Sequence, residues 1–358
     1  MHWLPIALSL AVLAAVLAAR LRRRREEARA YLKGVRSMIS DDPDSAIEAL
    51  SDAARLGSPE AVETYLALGE LFRRTGDVPR AIRLHRNMLH RPGLDPSRRV
   101  QVERELADDY RRAGMLSEAA GTYRPLAEGD PAAAAGLRDV LVAGGSYEEA
   151  IEVQRRLCPP DRRLLAHLLA GLSRAGAGAP DREAARRAVE ADGTSADALL
   201  ARSEAEAAAG EAGAAAASAA EALRAEAESA LLAWPALSAI PADRALAAVE
   251  EVLRGSPEDP RLLFLRARLL FRQGETARAL AEVRQALERD EDGEVTLLLR
   301  ELLRKAEAPA PSELAARHDL MVAAFVRQAR PLRCQHCGAG SAVRAWRCPR
   351  CGRFDAYP

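Results

Sequence analysis

Four cysteines in the last 25 residues have types and spacing that can do chemistry together: Cys334-Gln-His-Cys337-Gly and Cys348-Pro-Arg-Cys351-Gly. A C-x-x-C turn aims two thiolates at one point, and two such turns close the four-sulfur shell that a tetrahedral metal needs. Gly338 and Gly352 follow the second cysteine of each turn, where the chain must double back and a side chain would crowd the sulfurs. Cys334, Cys337, Cys348 and Cys351 are therefore the expected ligands of one structural metal ion. Zinc is favoured; iron in the same shell stays open and would make a one-electron carrier. The fifth cysteine, Cys158, has no His or Asn pattern around it and reads as an inert thiol.

The rest of the chain must position that module. At 358 residues it exceeds one ordinary core, so several domains or a repeat array are expected. Lys plus Arg and Asp plus Glu number 52 each, which removes any global charge argument for nucleic acid. Aromatics are 4% and alanine is abundant, a composition suited to close-packed helices rather than a sheet core. Metal-bound thiolates beside one unpaired thiol suit a reducing compartment.

Trp3 to Ala19 is apolar apart from Ser9, and Arg20-Leu21-Arg22-Arg23-Arg24-Arg25 follows. Such a stretch spans about 25 Å as a helix, the short end of what crosses a bilayer. The arginines follow the apolar run instead of preceding it, which favours an uncleaved anchor over a signal peptide. By the positive-inside rule they stay in the cytoplasm, and so does everything after residue 20.

The middle repeats itself. One unit reads Tyr65-x-x-Leu68-Gly69-x-x-Phe72, then Gly76 and Ala81; the next reads Leu106-Ala107-x-x-Tyr110, Gly114, Ala119, Tyr123 and Pro131. The offsets agree: four residues from aromatic to Gly and five from Gly to Ala. Gly34 and Ala46 each stand 35 residues before Gly69 and Ala81, and Gly145 with Ala150, Gly210 with Ala215 and Gly274 with Ala279 continue the scheme. This is the tetratricopeptide pattern, in which small residues let antiparallel helices touch, large ones fill the seam and proline ends the pair. Stacked units form a superhelix that binds peptides or protein segments. Residues 206 to 220 read as a thinly packed repeat. No phosphate loop, H-E-x-x-H or Ser elbow is present, so no enzyme activity is expected. The histidines have no ligand-spaced partners; His85 falls at a packing position.

Pro309 and Pro311 mark a break, after which Ser312 can cap a helix running to about Arg330. Its apolar positions Leu314, Met321, Ala324 and Phe325 predict one buried face, packed on the last repeat and docking the metal module there. From Arg330 onward the module holds six arginines against one acid, Asp355, with Trp346, Phe354 and Tyr357 among them. Aromatics are needed for so small a core, and arginine is the ordinary solvating residue here. Nucleic acid is therefore disfavoured against an acidic protein partner or lipid phosphates.

The combination resembles the lipopolysaccharide assembly protein B (LapB, or YciM) family. The resemblance lies in Tyr31-Leu32-Lys33-Gly34, Pro43-Asp44-Ser45-Ala46-Ile47, Glu63 to Arg74, Arg80 to Leu89, and the knuckles Arg333 to Gly338 and Trp346 to Cys351. It implies an all-α fold: a tetratricopeptide-repeat superhelix with an N-terminal transmembrane helix and a small C-terminal Cys₄ rubredoxin-like zinc ribbon. The expected division is an anchor over 1–25, repeats over 26–306, a connector helix over 307–330 and the metal module over 331–358. It further implies an inner-membrane adaptor facing the cytoplasm, which helps the membrane protease FtsH degrade the LpxC deacetylase and so limits lipid A synthesis. Other lipopolysaccharide assembly proteins are possible partners, and a homodimer stays open. Two other readings stand beside it: a membrane-tethered scaffold for another envelope complex, and a rubredoxin-like electron carrier.

Overall fold

The computed structural model describes residues 3–39, 43–56, 62–90, 94–157, 161–305, 324 and 331–357. The chain forms two compact units, Met1–Gly144 and Gly145–Pro358. The first contains α1 (Trp3–Ile39), α2 (Pro43–Leu56), α3 (Val62–Thr75), α4 (Val78–Leu89), α5 (Pro96–Arg112), α6 (Leu116–Tyr123) and α7 (Pro131–Ala143). The second begins with α8 (Tyr147–Arg156), α9 (Arg162–Ala175), α10 (Arg182–Ala191), α11 (Ala196–Ala208) and α12 (Ala212–Ala225). A 3₁₀ segment (Ala227–Ala233) leads into α13 (Trp234–Ala239), α14 (Ala242–Leu253), α15 (Pro260–Arg272), α16 (Thr276–Arg289) and α17 (Glu294–Lys305). A two-stranded antiparallel ribbon, β1 (Leu332–Arg333) with β2 (Gly340–Ser341), lies in the C-terminal module.

The repeat offsets become geometry. Gly76, Gly114, Gly145, Gly210 and Gly274 all have φ between 76° and 89°, the left-handed conformation that turns one helix into the next without a side-chain penalty. Five residues on, Ala81, Ala119, Ala150, Ala215 and Ala279 are each 0% exposed. Helix starts are equally local in origin. Asp95, Asp130 and Asp259 accept hydrogen bonds from backbone N–H groups of α5, α7 and α15, and each is followed by a proline at the first helical position. Pro131, expected to end a helical pair, instead opens α7, because its missing N–H is one that a first turn cannot use.

The alanine-rich middle packs as helices. Ala215, Ala219, Ala220 and Ala222 of α12 join Leu199 and Leu200 of α11 in one continuous core running to α17. Ser203 donates to the Ala215 carbonyl at 2.8 Å, which ties α11 to α12.

Each unit also buries a histidine against carboxylate and arginine. In the first, His85 Nδ1 lies 2.6 Å from Asp109, and Arg73 bridges Asp109 (2.9 Å) and Glu105 (2.7 Å). The His85 ring fills the space above Gly69, where a Cβ would stand 2.3 Å from Nε2. The ring cannot swing aside while Asp109 holds it.

Among the described residues no helix is long and apolar enough to cross a membrane. The anchor expected over 1–25 lies partly outside them: Met1 and His2, and the side chains of residues 3–12. Cys158 and the connector expected over 307–330 also fall outside, except Ala324. That residue is fully buried, and Arg300 on α17 donates to its carbonyl at 2.7 Å.

Gly69→Ala is expected to destabilise the first unit by about 2 kcal/mol, the cost of overpacking against a ring that cannot move. Chemical denaturation of the variant checks this, and an unchanged midpoint would contradict the packing described.

Candidate metal centre

Two turns of nearly the same design carry the sulfurs. In the first, Gly338 N–H donates to the Cys334 carbonyl (2.8 Å) and Cys334 N–H to the Ala339 carbonyl (3.0 Å). In the second, Gly352 N–H donates to the Cys348 carbonyl (2.9 Å) and Cys348 N–H to the Arg353 carbonyl (2.8 Å). Gly338 and Gly352 have φ of 67° and 73°. At Gly352 a Cβ would also strike the Arg347 guanidinium at 2.8 Å, and Arg347 donates to the Gly352 carbonyl.

The turns bring all four sequence-predicted cysteines together. Their Sγ atoms lie within 4.8 Å of one another. Cys334 and Cys351 are 3.7 Å apart, and Cys337 and Cys348 are 3.8 Å apart. A tetrahedral shell with bonds of about 2.3 Å has sulfur–sulfur edges of about 3.8 Å, so the donor set fits one metal ion.

Electrostatics point the same way. Burial opposes ionisation of Cys348, yet backbone N–H groups of Cys351 and Arg350 hold its thiol down to about 6. Burial and the neighbouring sulfurs push Cys351 up to about 12. Four adjacent thiols cannot all ionise unless a cation joins them. Among the described residues, the module's buried cluster apart from the cysteines is Ala356 and Tyr357, with Leu332, Ala339 and Ala345 packed against it, little apolar surface to hold a fold this small.

Two polar contacts join the module to the helices, beside Trp346, which packs against the helical core. Arg344 reaches Glu294 at the start of α17 (Nε to Oε1, 3.1 Å), and Arg261 of α15 approaches the other oxygen at 3.1 Å. Asp355 receives Arg163 of α9 at 2.9 Å and meets His167 Nε2 at 3.1 Å. The other nitrogen of His167 lies 2.6 Å from Asp197, which Arg174 also holds. Phe354 stacks on the imidazole, centroids 5.1 Å apart. Asp355 is the one non-glycine residue, among those described, with positive φ (46°), and its N–H donates to the Trp346 carbonyl. A backbone conformation costing on the order of 1 kcal/mol thus aims the carboxylate at α9.

Docking was expected on the last repeat alone, through the connector. Glu294 fits that expectation, but α9 was not anticipated. His167 looked partnerless because its partners stand 30 and 188 residues away. The available signal was Asp355, the sole acid of a basic module.

Burial disfavours the His167 charge, but hydrogen bonds and charges of Asp197 and Asp355 outweigh it and raise the group to about 9. Burial opposes the Asp355 charge in turn, and His167 and Arg163 hold it below the usual carboxylate range.

Sequence comparison agrees with this architecture. Models described as tetratricopeptide repeat match residues 40–87 and 242–302. Lipopolysaccharide assembly protein B of Escherichia coli (strain K12) is 30% identical over 132 residues, 36% of this chain and 34% of that protein. The chain resembles lipopolysaccharide assembly protein B. The Haemophilus influenzae protein of that name is 26% identical over 139 residues, 36% of this chain and 35% of its own length. The alignment thus spans about a third of these curated relatives. A tetratricopeptide repeat protein of Parabacteroides merdae covers 78% of this chain and 98% of its own at 19% identity, with a TM-score of 0.34, too low to carry any argument.

Two outcomes follow from the site. Cys348→Ser should abolish metal retention through gel filtration and make residues 331–357 protease-sensitive, because metal binding and folding are coupled in so small a unit. Retention of both metal and resistance would contradict a structural role. The folded pKa of His167 exceeds its unfolded value of 6.5, so its contribution is complete below about pH 6.5 and is lost as pH rises through about 9. The thermal midpoint of the wild-type C-terminal unit should fall more than that of His167→Gln between pH 7 and 10, by the equivalent of about 3 kcal/mol. Parallel curves would show that His167 is uncharged in the folded chain.

Proposed function

We propose that the chain is a membrane-anchored, cytoplasm-facing adaptor that limits lipid A synthesis by promoting FtsH-dependent degradation of the LpxC deacetylase. The observation that carries the proposal is the match to lipopolysaccharide assembly protein B, whose name assigns it to lipopolysaccharide assembly. The helical repeats and four-cysteine centre support it, being the architecture of a protein that gathers other proteins. In this reading the repeats hold the client. The anchor and its basic flank place client and protease on one membrane, and raised local concentration does the rest.

The anchor is supported by exposure. Leu13, Val16, Leu17 and Leu21 of α1 are each 46–56% exposed, a run of apolar side chains that lipid would cover and water would not. The arginines after Ala19 would then face anionic headgroups. Cys334, Cys337, Cys348 and Cys351 would hold zinc, whose role is to fix the module against α9 and α17.

In the native host, depletion of this chain should lengthen the half-life of the deacetylase severalfold and raise its level. An unchanged half-life would remove the protease-adaptor reading and leave a membrane scaffold with a different client.

A further inference from the structure

The four sulfurs are not equally placed. Cys334 and Cys348 are 2% and 1% exposed, and the Tyr357 hydroxyl lies 3.9 Å from the Cys348 sulfur. Cys337 and Cys351, the second cysteine of each turn, are half-buried, and His336, Gly338 and Arg350 beside them are exposed. Solvent therefore reaches the centre from the side of Cys337 and Cys351.

Each accessible sulfur has a buried one from the opposite turn as a near neighbour. Cys351 stands 3.7 Å from Cys334, and Cys337 stands 3.8 Å from Cys348. A disulfide holds its sulfurs about 2.05 Å apart, so either pair closes with a shift of less than about 2 Å. Little apolar packing in the module opposes that shift.

We infer that Cys337 and Cys351 are oxidation sites for a hydroperoxide, and that their oxidation opens the centre and undocks the module. The thiolate of Cys351 attacks the terminal oxygen of the hydroperoxide: an S–O bond forms, the O–O bond breaks, and the alkoxide or hydroxide left over takes a proton from water. The Cys334 thiolate then attacks the oxidised sulfur, the S–S bond forms, and the hydroxide that leaves is protonated in turn. The two cysteines lose two electrons and the hydroperoxide gains them. Cys337 and Cys348 react in the same way. A bridged pair offers no thiolate, and the two cysteines that remain fall short of the four donors of a closed site.

The same movement reaches the docking contact. Asp355 stands four residues after Cys351, and Cys348 N–H holds the intervening backbone at the Arg353 carbonyl (2.8 Å). Closing either pair shifts that backbone and draws the Asp355 carboxylate away from His167 and Arg163. Thiol reductants reverse the bond, which makes the device a switch in a reducing compartment. The inference goes beyond the adaptor reading and does not depend on it, since it needs only the four-sulfur centre and its docking.

Treatment of the zinc-loaded full chain in detergent with excess hydrogen peroxide tests this. Released zinc is read with a chromogenic chelator, bridges by mass mapping of unreduced peptides, and docking by trypsin cleavage within residues 331–357. Zinc release is expected in step with a Cys334–Cys351 or Cys337–Cys348 bridge and with rising trypsin sensitivity, and dithiothreitol plus zinc should restore the starting state. Zinc that stays bound, or that leaves while the cysteines go to sulfinic or sulfonic acid without a bridge, overturns the inference. A bridge within a single C-x-x-C turn overturns the assigned pairing. Asp355→Asn keeps the four cysteines and removes the docking charge, so its zinc should leave severalfold faster. An unchanged rate in that variant would show that oxidation and docking are not coupled.

Discussion

An imidazole buried between two carboxylates is stable only if it carries a proton, and His167 is in that position. Asp197 holds one nitrogen from within the repeats and Asp355 holds the other from the metal module. Remove Asp355 and a buried cation keeps one partner; remove the proton and two carboxylates face each other across a neutral ring. The first unit shows the contrast. His85 has the same carboxylate–arginine support on one side, but its Nε2 lies buried against Gly69 without a hydrogen bond. One histidine closes a repeat, and the other fastens a second structure to it.

That fastening explains how a module of fewer than thirty residues can serve as part of a scaffold. Its own apolar core is minimal, so its shape depends on the four sulfurs and the ion they fit. Its position depends on Arg344 at Glu294, Asp355 at His167 and Trp346 against the helical core, contacts with helices far apart in sequence. Metal and docking are therefore linked: the backbone that brings Cys348 and Cys351 to the metal also sets the left-handed turn at Asp355. Loss of the ion would withdraw the carboxylate on which His167 relies.

Features governed by neighbours along the chain were legible in the sequence. The Gly-to-Ala offset specified left-handed turns and buried contacts at the five pairs from Gly76 and Ala81 to Gly274 and Ala279, even at Gly210 and Ala215, where the composition had degenerated to alanine; Gly34 instead lies within α1. The spacing of the four cysteines specified their convergence. Pairings across long separations were not legible. Nothing local marks His167 as the partner of a residue 188 positions later. Pro131 was misread for a related reason: its place at a boundary is fixed by composition, but which side of the boundary it serves depends on the Asp130 cap.

The metal centre fixes the module against the helices of the second unit, α9 and α17. Hydrogen exchange of the full chain with and without a metal chelator tests it most directly. The account predicts that chelation deprotects residues 331–357 and, together with them, the first turns of α9 and α17 around Arg163, His167 and Glu294. Deprotection confined to the module, with α9 and α17 unchanged, would contradict it.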